Sequence, residues 1–154
     1  MQTKFHIPFP DHLIKWVSVH YFEGQSAPFK VNENSVIGRN IVAVLNDPRS
    51  KDIVHCDYVN TISFELSVAL AKMSPSLIKL SHLRLSLEND FKSHLEMYTR
   101  ALVNSGEGRY KSVQKFLDDF NITENEFSIA TAYQVVKRVD ARKYAYAKKD
   151  SSIL

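Results

Sequence analysis

The spacing of hydrophobic and polar positions changes period twice along this chain, and each change predicts a change of structure. From Lys4 to Phe9 apolar residues alternate with others, so Phe5, Ile7 and Phe9 share one face of a short edge strand. Pro10-Asp11 then reads as a helix start, with the Asp11 carboxylate positioned to cap orphan backbone donors. Leu13, Ile14, Trp16, Val17, His20 and Tyr21 follow at helical spacing, and Trp16, Tyr21 and Phe22 are assigned to the core rather than to a partner surface. Glu23 to Pro28 is a loop and Phe29-Lys30-Val31 a short extended piece. Asn34 is the expected cap of a second helix in which Ile37, Ile41 and Leu45 recur every four residues; Asn46-Asp47-Pro48 ends it, because proline disfavours helix in the residue before it.

The period then shortens to two. Over Thr61–Ala71, Ile62, Phe64, Leu66, Val68 and Leu70 point one way, and Thr61, Ser63, Glu65, Ser67 and Ala69 the other, which predicts one strand with a buried and a polar face. Asp52–Val59 is its candidate partner. After Ser74-Pro75-Ser76 the helical period returns: Leu80, Leu83, Leu87, Phe91, Leu95, Tyr98 and Leu102 trace one stripe, broken by Gly106 and Gly108. Two further helices are expected, about Tyr110–Phe120 and Glu124–Lys143 or longer. The fold class is therefore α+β: a small N-terminal sheet with short helices, then a helical C-terminal half containing a helix-turn-helix-like pair.

Length agrees with a single domain over residues 1–154, with a strand-containing part (1–75) and a helical part (76–149). With 44% hydrophobic and 24% charged residues the composition is globular, and no apolar run is long enough to span a bilayer. The start, MQTKFHIPFP, lacks the apolar stretch of a signal peptide, and Cys56 is the single cysteine; both point to a reducing cytoplasm and away from a membrane. The net charge of +3 is modest but uneven. Residues 134–149 contain Lys137, Arg138, Arg142, Lys143, Lys148 and Lys149 against Asp140 alone, so this end carries +5 and the remainder −2.

The expected helix pair meets at Asn121-Ile122-Thr123. Phe116, Phe120, Ile122, Phe127 and Ala130 are apolar where two crossing helices need them, and Asn121 tolerates a left-handed backbone in the turn. Thr123 and Glu126 form a capping box for the second helix. Leu117 stands where a DNA-binding pair usually has a small residue, and Asp118, Asp119, Glu124 and Glu126 crowd the end that would approach phosphates. The basic end suggests another mode: Lys137, Arg138, Arg142, Lys143, Lys148 and Lys149 contact phosphates, Tyr144 and Tyr146 lie among them for stacking, and Asn125, Ser128 and Gln134 are candidate base-edge readers.

No catalytic set is expected. In His55-Cys56-Asp57 neighbouring side chains alternate faces, His20, His82 and His94 are too far apart in sequence to declare a metal site, and four scattered glycines make no phosphate-binding loop. No cofactor or metal is implied. Taken together, the I-P-F-P-D-H-L-I-K-W-V start, the Lys-Val-Asn piece, the alternating strand, the long helix and the Phe116–Glu126 stretch leading to Lys-Arg resemble, in layout, small uncharacterised proteins of bacterial phages and integrated mobile elements. The resemblance implies such a setting and nucleic-acid handling, and it carries over no activity residue by residue. The expectation is a non-enzymatic DNA-binding accessory or regulatory protein. The alternative is a protein-interaction or virion-structural module that docks, or self-associates as a homo-oligomer, through its sheet edge or acidic turn.

Overall fold

The computed structural model describes residues 3–54 and 56–138. Contacts divide the chain into two compact units, Met1–Asp90 and Phe91–Leu154, and the boundary falls inside a long helix.

In the first unit, strand β1 (Lys4–Pro8) is followed by helix α1 (Asp11–Phe22), strand β2 (Phe29–Val31) and helix α2 (Val36–Asn46). A 3-10 turn (Pro48–Lys51) leads to strand β3 (Thr61–Leu66) and the short helix α3 (Val68–Ala71). The sheet order is β1-β3-β2, with β1 antiparallel and β2 parallel to the central β3. The α+β layout thus holds, with β3 as the strand that carries the pattern: Ile62, Phe64 and Leu66 are buried and alternate with less buried neighbours. Phe64 faces Phe5 on one side and Phe29 on the other, and the Phe22 and Phe29 rings stack at 4.4 Å. Leu13, Trp16 and Val17 of α1 and Ile37 and Ile41 of α2 complete this core.

The strand expected over Thr61–Ala71 is shorter than its alternation. The Ser67 backbone N–H still bonds Val31, but its hydroxyl donates to Glu33 at 2.9 Å and accepts the Leu70 N–H at 3.4 Å, so the chain turns into α3. Val68, assigned to the buried face, is 67% exposed. Asp52–Val59 is likewise not the partner strand: β1 and β2 already occupy both sides of β3, and the described residues of this stretch beyond the 3-10 turn form no strand.

Two caps shift as well. The Asp11 carboxylate accepts from the Asn60 amide at 2.6 Å and caps nothing; Pro10 is the residue before α1. Ser35, not Asn34, caps α2 by accepting the Gly38 N–H at 3.0 Å, while Asn32 Oδ1 accepts from the N–H groups of Asn34 and Ser35. Asp47 extends the chain as expected before Pro48 and also accepts from the Arg49 backbone and side chain.

Helix α4 (Leu77–Asn104) crosses the boundary. Its Leu80, Leu83 and Leu87 are buried in the first unit, and Phe91 and Leu95 in the second. Helix α5 (Arg109–Asp119) follows the break at Gly106 and Gly108, and a sixth helix, α6, is described over residues 129–138. The core of the second unit is aromatic: Phe116 lies 5.7 Å from Phe91 and 4.9 Å from Phe120, and Phe127 packs on Phe91 at 5.3 Å. Among the described residues no helix is long and apolar enough to cross a membrane.

Candidate nucleic-acid interface

The connection from α5 to α6 runs over residues 120–128, longer than the three or four residues of a helix-turn-helix turn. Asn121 does take the left-handed conformation, with φ of 55°. Phe116, Leu117, Phe120 and Ile122 are buried and Phe127 partly so. The Thr123 and Glu126 side chains do meet: Glu126 Oε1 accepts from the Thr123 N–H at 3.0 Å and from its hydroxyl at 2.8 Å. This box closes a single turn, however, in which the Thr123 carbonyl accepts from Glu126 and Phe127. It does not cap a helix beginning at Glu124.

The helix begins five residues later, and its cap is Ser128, whose hydroxyl accepts the Thr131 N–H at 3.0 Å and bonds the Thr131 hydroxyl at 2.7 Å. The shift changes the face presented. Ala132 and Val136 are buried, whereas Ala130, expected at the helix crossing, is exposed. Ala130, Thr131, Gln134, Lys137 and Arg138 are all exposed, and their three- and four-residue spacing sets them along one outward stripe with no acid in it among the described residues.

Besides Glu126, two of the acids crowding this turn have partners of their own, Glu124 and Asp119. Glu124 accepts the Ile129 N–H at 3.0 Å, placing a carboxylate on the orphan donors at the start of α6. Asp119 accepts a hydrogen bond from the Tyr98 hydroxyl. Burial and then this carboxylate raise the Tyr98 phenol to about 12. A phosphate approaching the α6 N-terminus would therefore meet Glu124 where it needs free N–H groups.

The expected site residues fall into three groups. Gln134, Lys137 and Arg138 lie together on the outward stripe. Asn125 is exposed in the connection, and Ser128 uses its hydroxyl in the α6 cap. Arg142, Lys143, Lys148 and Lys149, with Tyr144, Tyr146 and the end of the helix expected to Lys143, lie outside the described residues. Thr131 is not among the expected site residues, and Ala130 is expected at the helix crossing rather than on this stripe. The S-x-x-T pattern at Ser128 carries the signal that would have reset the helix phase and exposed them.

Elsewhere the chemistry-bearing residues are dispersed. His20 stacks on Trp16 at 5.0 Å, and His82 Nε2 is 2.7 Å from the Asp52 carbonyl oxygen. His94 packs edge-on to Phe116 and Phe120 at 5.2 and 5.5 Å. The half-buried Cys56 thiol lies 3.9 Å from the Pro8 carbonyl oxygen; His55 is outside the described residues. Among the described residues no three His, Cys, Asp or Glu side chains converge to hold a metal ion. The chain matches no known protein-family model, no curated protein and no solved structure.

Proposed function

We propose that the chain is a non-enzymatic nucleic-acid-binding accessory or regulatory protein that holds DNA through the outward stripe of α6 and its basic continuation. The observation that carries this reading is the exposed stripe that sets Gln134, Lys137 and Arg138 on one side of α6, with no acid in it among the described residues. In this reading Lys137 and Arg138 neutralise phosphates and Gln134, one turn earlier, reaches toward a base edge. The small Ala130 and Thr131 side chains let the helix approach a groove closely. Docking runs along the side of α6 rather than through its N-terminus, where Glu124 stands in for a phosphate. The reading keeps the reducing host cytoplasm of a phage or mobile element as the setting, and assigns the chain no catalytic step.

Charge distribution supports the same end of the molecule. Met1–Asp90 contains nine basic and nine acidic residues, leaving eleven basic and eight acidic in Phe91–Leu154, so the whole excess of +3 belongs to the second unit. The test is fluorescence anisotropy with duplex and single-stranded DNA across a salt series. If all six basic residues of 134–149 contact duplex phosphates, log K falls against log salt with a slope of about −5, and K137E/R138E flattens it by about 2. A slope unchanged in that variant, or no binding at low salt, overturns the reading.

A further inference from the structure

A cleft of about 600 Å³ lies beneath the connection between α5 and α6. Leu117, Ile122 and Ile129 supply apolar surface, and Asp118, Asn121 and Glu124 supply polar groups, with no basic residue in the lining. Such a site suits a long side chain with an alkyl stem and a cationic head: the stem covers apolar surface while the head meets carboxylate. It repels phosphate for the same reason.

We propose that this cleft receives Lys137 and Arg138 of a second copy of the chain in a head-to-tail contact. Within one copy these residues lead away from the cleft. Ile129 lines it, and Lys137 is eight residues further along the same helix, about 12 Å of axial rise. A copy therefore cannot seat its own Lys137 and Arg138 there without unwinding α6, whereas a neighbour can present both. Because cleft and basic stripe are different surfaces of one molecule, the contact is heterologous, and every copy offers one donor and one acceptor. The association does not depend on nucleic-acid binding, but it uses the same two cations, so each copy's stripe serves one partner at a time.

Sedimentation equilibrium of the full chain at low and high salt tests this. The wild type associates with rising concentration, and salt weakens the association. Asp118→Lys, which reverses an exposed carboxylate of the cleft, and K137E/R138E, which reverses the stripe, each weaken association about tenfold or more when alone. Mixing the two variants restores it, because the intact cleft of one meets the intact stripe of the other. Asp118→Asn, a smaller change, moves in the same direction as Asp118→Lys, and circular dichroism checks that each variant keeps its helices. A wild type monomeric at every concentration, association that survives both variants, or a mixture that fails to associate overturns the proposal. Asp118→Lys retains the basic stripe and still binds DNA if the nucleic-acid reading holds, so the two can fail separately.

Discussion

Gly38 shows how one backbone contact outweighs a helix propensity. It sits in the first turn of α2, where alanine is ordinarily favoured over glycine by about 1 kcal/mol. A Cβ there would lie 1.7 Å from the Asn32 carbonyl oxygen, a backbone atom held by the Ser35 hydroxyl and N–H. Gly38→Ala is therefore expected to destabilise by about 2–3 kcal/mol, read as a lower urea midpoint at unchanged slope; a stabilised variant would show that the Asn32 turn gives way freely. His20 is the second informative position. Burial lowers its pKa from the ordinary 6.5 and outweighs the opposing pull of Asp90, whose own carboxyl is raised by burial. Below pH 6.5 the unfolded chain then takes up this proton more readily than the folded one, so the His20 contribution to stability is lost as pH falls through that window. Asp90 acts lower, where the folded state binds the extra proton and acidification from above favours folding. Trp16 is the single tryptophan and stacks on the His20 ring, so its emission, quenched by the imidazolium, should titrate with a midpoint below 6.5. A midpoint at or above 6.5 would contradict burial as the dominant cause. Neither effect is legible in sequence: the Gly38 contact depends on a fold-back of Asn32, and the His20 shift depends on how much water the α1 surface loses.

At the scale of elements, Tyr98 couples α4 to α5 by donating to Asp119, and its ring packs on Phe116 at 5.3 Å. Tyr98→Phe keeps the ring and removes the hydrogen bond, which costs about 1 kcal/mol because water can replace the phenol at the exposed Asp119. The phenol's folded pKa of about 12 lies above its ordinary 10, so the stability it confers is present below pH 10 and lost as pH rises from 10 toward 12. Thermal melts should show that alkaline loss shrinking in the variant; an equal loss would mean that other groups cause it. Tyr98 was readable as part of the α4 stripe, whereas its partner on α5 was not, since hydrophobic period identifies a face without saying which polar group will meet it. The same limit explains the elements that changed. The stripe from Leu80 to Leu95 and the Ile37, Ile41, Leu45 repeat were legible because each face is buried over several turns. Alternation continued through Val68 and Leu70, but Ser67 bonds Glu33, a residue 34 positions earlier, and ends β3 there. At α6 two local signals competed: the Thr123–Glu126 box formed, yet Ser128 captured the helix start, and the five-residue shift moved Ala130 from core to surface and placed Ala132 inside.

For the whole molecule, the question is whether DNA would respond to a site or to net charge alone. Overall +3 is too small to gather a polyanion from a distance at physiological salt, where the Debye length is about 8 Å. Binding by diffuse attraction would weaken for any loss of positive charge, wherever it occurred. Binding by the α6 stripe requires cations spaced on one surface, so only their loss removes phosphate contacts and the counterions those contacts release. Lys30, Lys51 and Lys72 are exposed in the charge-balanced first unit and distant in sequence from the stripe. Reversing all three to glutamate changes net charge by −6 and gives a chain of −3, while K137E/R138E changes it by −4 and leaves −1. If net charge governs, the triple variant binds DNA more weakly than the double. If the stripe governs, the order is inverted: the double variant loses about tenfold or more at moderate salt and flattens the salt dependence, and the triple variant keeps the wild-type slope. Measured side by side, the sign of that difference separates the two cases, because the variant with the larger charge change is the one expected to matter less.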